Sequence, residues 1–133
     1  MVDAVIAEKI DSINRCISRI EEKKPQTLEK LRHDIDAQDI ICLNLERAIQ
    51  QCVDIAMILL SKKNLPLPAT MREGFEALAE AGILTQDIAD RMIKAVGVRN
   101  ILVHTYTKIN WEIIWVILTD HLDDFRAFAR AVD

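Results

Sequence analysis

The sequence predicts an all-α fold, an antiparallel bundle of about five helices forming one domain over residues 1–133. Three observations carry this expectation. Apolar residues recur at helical spacing over several long stretches,. Glycine and proline number only three each and fall mostly between those stretches,. Half of the 133 residues are hydrophobic, which supplies a real core and argues against disorder.

The first helix is read from about Asp3 to Lys23, where Ile6, Ile10, Ile13, Ile17 and Ile20 follow one another at steps of 4, 3, 4 and 3,. Lys24-Pro25 stops it, because proline disfavours a helical residue before it. A connection with a helical turn over Thr27 to His33 leads to a second long helix, about Asp36 to Lys62. Its apolar face carries Ile41, Leu45, Ile49, Cys52, Ala56, Leu59 and Leu60, with Asn44, Arg47, Gln51 and Asp54 forming a polar line opposite. Asn64 to Pro68 is a break between elements. Thr70 with Glu73 fits a capping box, and Gly82 stands where a C-cap glycine closes that short helix. Thr85 caps the next helix, about Gln86 to His104. Asn110 caps the last, Trp111 to Val132, with Trp111, Trp115, Leu118, Leu122, Phe125 and Ala129 on its apolar face.

The net charge of −4 excludes a protein that grips long nucleic acid with its whole surface. Any RNA contact has to be local. Cys16, Cys42 and Cys52 lack ligand spacing and fall inside helical patterns, so they read as buried, reduced thiols. The N-terminus does not read as a signal peptide, and the longest apolar runs are too short to span a bilayer. A soluble protein of a reducing compartment, the cytoplasm, is expected. Scattered glycines offer no phosphate-binding loop. Asp34, Asp36 and Asp39 precede or open a helix, where carboxylates suit the dipole. His33 and His121 match no ligand pattern, so all five read as structural or solvated, and neither metal nor cofactor is expected.

The helix over 86–104 breaks the pattern. Ile88, Met92, Ala95, Val96, Leu102 and Val103 share one face, and Arg99 lies in the middle of it. From Met92 to Val103 the helix is apolar nearly all round, which predicts burial inside the bundle or between two copies of it. A guanidinium there is costly unless it meets a carboxylate or an anion. Burial alone favours a structural ion pair with an acid of the second helix, such as Asp54. His104 at a helix end commonly complements the dipole, and Tyr106 commonly packs its ring. In an unbroken helix Arg99 and His104 point about 140° apart. A fraying helix end, or a two-fold dimer placing two copies of each in one cleft, removes that obstacle.

Arg99-Asn100-Ile-Leu-Val-His104-Thr-Tyr106 resembles the Arg-x4-His-x-Tyr signature of HEPN-domain toxins, specifically the HepT-like ribonucleases. Helix order, the signature's place at the end of a helix and the Ile109-Asn110-Trp111 helix start extend the resemblance over essentially the whole chain. It implies a metal-independent endoribonuclease acting as a homodimer, with Arg99 and His104 catalytic and Asn100 and Tyr106 supporting. It also implies an MNT-type nucleotidyltransferase antitoxin that adds AMP to Tyr106. The residue types suit the chemistry. RNA carries its own 2′-OH nucleophile, so cleavage needs a base, an acid and a cation for the phosphorane. Imidazole serves the first two near neutral pH, and a guanidinium fork matches phosphate oxygens. With acidic overall charge, RNA contact falls to Arg91, Lys94, Arg99 and Lys108. The alternative is a non-enzymatic helical dimer that binds a nucleotidyltransferase, with Arg99 and His104 fixing the interface.

Overall fold

The computed structural model describes residues 3–104 and 108–133, and among them the chain forms seven helices and no strand. Helix α1, Ala4–Lys23, starts where Asp3 accepts hydrogen bonds from the amides of Val5 (2.8 Å) and Ile6 (3.0 Å), as an N-cap carboxylate does. All five isoleucines of its stripe are buried. The turn expected before the second long helix is a six-residue helix, α2, Leu28–His33, capped by Thr27 and anchored by buried Leu31. Helix α3, Ile35–Lys62, begins one residue earlier than its expected start because Asp34 is its cap, accepting from the Ala37 amide at 3.0 Å.

The ends of α3 and of α4, Met71–Glu80, share one closing device. Asn64 (φ 56°) and Gly82 (φ 75°) adopt the left-handed conformation just past each helix. Leu65 then donates to the Leu60 carbonyl at 3.0 Å and Ile83 to that of Leu78 at 2.9 Å. These six-to-one bonds satisfy carbonyls that the helix itself leaves free. At the start of α4, Thr70 accepts from the Glu73 amide, while the Glu73 carboxylate reaches back to the Ala69 amide. Helix α5, Gln86–His104, is capped by Thr85 through the Ile88 amide.

The single helix expected over 111–132 is two: α6, Trp111–Asp120, and α7, Leu122–Val132, meeting at His121. The Thr119 hydroxyl donates to the carbonyls of Trp115 (2.9 Å) and Val116 (3.2 Å), a side-chain bond that bends helices. His121 leaves helical geometry at φ −126°, ψ 3°. The break lets α6 lie against α2 while α7 reaches α1, α3 and α5. Both halves keep apolar faces, so the hydrophobic period runs through the break unchanged.

Helix α3 is the spine of the bundle. Helix α1 runs antiparallel along it, tied at its N-terminal end by Lys62 to Asp3 (2.6 Å) and by Lys9 to Asp54 (3.3 Å). Helix α4 packs on α3 and α5, with Phe75 edge-on to Phe128 of α7 at 5.7 Å between ring centres. Arg126 of α7 reaches both Glu21 of α1 and Asp123. Cys16 and Cys52 are buried as expected, whereas Cys42 is only half-buried. All three thiols are free, and burial raises the pKa of each, Cys42 to about 11.

Candidate active site

Helix α5 does not bury its apolar circumference within the chain. Met92, Val96 and Leu102 are in the core, Ala95 and Val98 are half-buried, and Val103 remains 41% exposed. The reading that placed Val103 on the core face is therefore corrected.

Arg99 is half-buried, and its Nε is sealed from solvent without a hydrogen-bond partner. It forms no ion pair with any described carboxylate. The pairing with Asp54 that burial alone favoured does not exist. Asp54 Oδ2 sits 3.3 Å from Lys9 Nζ, and its Oδ1 accepts from Gln50 at 2.8 Å. The reason is the rotation of α3. Gln51 and Asp54 face α1, whereas Leu45 and Ile49 face α5 across a shared groove. The polar line is thus divided: Gln51 and Asp54 engage Lys9, Asn44 bonds back to the Ile40 carbonyl at 2.8 Å, and Arg47 is exposed. A donor buried without a partner costs about 1–3 kcal/mol, and Arg99 carries one in the middle of a core-facing surface.

Asn100 is exposed, on the side of α5 away from the core. His104 is the last described residue of α5. The His104 side chain, together with Thr105, Tyr106 and Thr107, lies outside the described residues. Of the cations assigned to RNA contact, Arg91 is already engaged by Asp87 (3.0 Å) and Asp124 (3.2 Å). Lys94 and Lys108 are exposed and enter no ion pair among the described residues.

Two grooves flank α5. One of about 280 Å³ lies between α5 and α6, floored by Leu45 and Ile49 and walled by Val98, Ile113 and Val116. Ile113 and Val116 are 41% and 47% exposed. The other, of about 590 Å³, lies between α3 and the segment entering α6, with Leu102 at its edge. Among the described residues no group of three or more His, Cys, Asp or Glu is placed to hold a metal ion. His33 pairs with Glu29 at 2.8 Å and His121 with Asp124 at 3.1 Å. Asp34 caps α3 and Asp36 lies in its first turn. No helix among the described residues is long and apolar enough to cross a membrane.

Comparison with known proteins agrees with this architecture. The profile of the family described as "Ribonuclease HepT-like" matches residues 13–132. The chain is 36% identical over 128 residues to the mRNA nuclease HepT of Shewanella oneidensis, covering 96% of each protein. It is 24% identical to the tRNA nuclease HepT of Aphanizomenon flos-aquae, over 97% of this chain and 88% of that one. Among solved structures, the tri-AMPylated HEPN toxin of Shewanella oneidensis in complex with MNT antitoxin superposes with a TM-score of 0.92 at 34% identity, covering 98% of both chains. A toxin–antitoxin structure with AMP-PNP gives a TM-score of 0.92 at 33% identity, over 99% of this chain and 100% of that one. An all-α bundle matched by the family profile over residues 13–132, and 36% identical to a HepT nuclease over 96% of its length, belongs to the HepT-like ribonuclease family.

Proposed function

We propose that this chain is the toxin of a toxin–antitoxin pair, a metal-independent endoribonuclease that works in the cytoplasm as a homodimer. Arg99 binds the scissile phosphate and His104 transfers protons. The 2′-oxygen attacks phosphorus as a base takes its proton, the P–O5′ bond breaks, and an acid protonates the leaving 5′-oxygen. The products are a 2′,3′-cyclic phosphate, which water opens to a 3′-phosphate, and a 5′-hydroxyl. Each chain brings one motif histidine, so two copies facing one cleft supply both base and acid. The Arg99 guanidinium neutralises the charge that grows on the non-bridging oxygens, and Asn100 supports the motif.

The observation that carries this reading is the buried, unpartnered Nε of Arg99. A guanidinium kept in a core-facing position without a carboxylate is available to an external anion. The apolar groove at Val98, Ile113 and Val116 supports the dimer, because α5 is more apolar than its own bundle covers. By extension from the S. oneidensis toxin described as AMPylated and bound to MNT antitoxin, we assign this chain an MNT-type nucleotidyltransferase partner that attaches AMP to Tyr106. A nucleotide there adds bulk and negative charge two residues from His104, competing with substrate phosphate for Arg99.

The test is cleavage of RNA by purified native, Arg99→Ala and His104→Ala proteins in excess chelator. Native protein should cut, and each variant should lose at least about 100-fold in rate, the scale of losing one transition-state donor. Variants that cut at the native rate place the site elsewhere. Native protein that cuts no RNA leaves the chain as a binding module for its partner.

A further inference from the structure

The groove between α3 and the segment entering α6 has a polar lining of one kind. Asp39 and Glu46 stand two turns apart on the same flank of α3, and neither has a hydrogen bond or ion pair among the described residues. Most other carboxylates along α1 and α3 cap a helix or meet a cation, as Asp3, Asp34, Glu21 and Asp54 do. Gln38 adds a third acceptor. Its amide nitrogen donates to the carbonyls of Leu31 (2.8 Å) and Arg32 (3.1 Å), which leaves the side-chain oxygen. Both carboxylates lie close enough to Cys42, between them on the helix, to add to the rise of its pKa to about 11, after burial itself. The remaining lining is apolar, with Ile35 and Leu43 of α3 facing Leu102, Ile109 and the indole of Trp111.

Such a groove repels phosphate and offers nothing to a ligand that only accepts hydrogen bonds. It suits a flat, neutral group with N–H donors along one edge. Leu102 lies one helical turn beyond Arg99, so the groove adjoins the helix that carries Arg99. We propose that it is a nucleobase subsite of the ribonuclease, in which Trp111 stacks on the base and Asp39 and Glu46 accept its Watson–Crick N–H groups, with guanine the best fit. Guanine alone presents two adjacent N–H donors, N1–H and N2–H, on that edge. Exposed bases of single-stranded RNA are read in this way, by aromatic stacking and edge hydrogen bonds. Charge is then divided across the site, with cation for phosphate and carboxylate for base. This deepens the ribonuclease reading and rests on it.

The experiment has two arms. In the first, native, Asp39→Asn and Glu46→Gln proteins cut a single-stranded RNA pool randomised at every position, in chelator, and the new ends are sequenced. Native ends should be enriched in guanine at one position beside the cut, and each variant should lose about tenfold of that enrichment. Enrichment that survives in both variants, or native ends without base preference, overturns the proposal.

In the second arm, guanosine and uridine, which carry no phosphate, are titrated against the full chain by tryptophan fluorescence. Guanosine should bind at least about fivefold more tightly, with its quenching lost in Trp111→Phe. This arm needs no catalysis, so it decides the subsite even if the chain cuts no RNA. Equal binding of the two nucleosides, or variants that change only the oligomeric state, would make the groove a protein interface instead.

Discussion

Arg99→Met separates the two roles that a buried guanidinium can have. The substitution keeps an unbranched apolar stem of similar length and removes the charge together with the Nε–H. In a structural role, losing Arg99 breaks a partner's bond and weakens the fold. Here Nε is sealed without a partner and no described carboxylate pairs with the group, so the native fold carries an unmet donor that methionine does not. The cost of such a donor is about 1–3 kcal/mol. Because Arg99 is only half-buried, the low end applies. We expect Arg99→Met to gain about 1 kcal/mol in urea unfolding, equivalent to a rise in Tm of about 3–5 °C for a domain of this size. Cleavage in chelator should fall by at least about 100-fold. A more stable protein that no longer cuts is the signature of a residue held for its ligand. Methionine that destabilises the fold by more than about 1 kcal/mol while cleavage persists would show that Arg99 holds the bundle together, and the phosphate role would fall.

Other outcomes follow from individual side chains. Tyr106→Phe should keep RNA cleavage but accept no AMP from the nucleotidyltransferase, read by mass of the intact chain; loss of cleavage in a folded variant would give the hydroxyl a part in the chemistry. Gly82→Ala meets no atom within 4 Å of the new Cβ, so its cost is conformational alone, about 1 kcal/mol at φ 75°,, and an unchanged urea midpoint would contradict the left-handed cap. Glu21 is held below its ordinary pKa of 4.5 by its hydrogen bonds with Arg126. Its contribution is complete above that ordinary value and is lost as pH falls through the depressed one. Native protein should therefore exceed Glu21→Gln in stability at neutral pH by at most about 1 kcal/mol, since the pair is partly exposed,. That gap should close in acid, and a gap that widened instead would place the glutamate's stabilising partner elsewhere.

Much of the bundle was legible in the chain because helix formation is a local matter. The isoleucine stripe, the caps at Thr70, Thr85 and Asn110, and the stop at Gly82 each depend on residues within about one turn,. The motif itself could be read because Arg99 violates an otherwise apolar surface, and a violation of local pattern is visible without coordinates.

Where two helices meet was not legible. The turn at His121 depends on α6 and α7 lying against different partners, while the hydrophobic period runs unbroken across it. Asp54 belongs to Lys9, 45 positions away, and not to Arg99, because the rotation of α3 turns that carboxylate towards α1. Arg91 looked free for RNA until Asp124, 33 positions on, was folded against it. Asp39 reads as a structural or solvated acid, and only the approach of Trp111 and Ile109 makes its flank of α3 a groove. Spacing along the chain decides which residues share a face; packing decides what that face meets, and so which charges are left for a ligand.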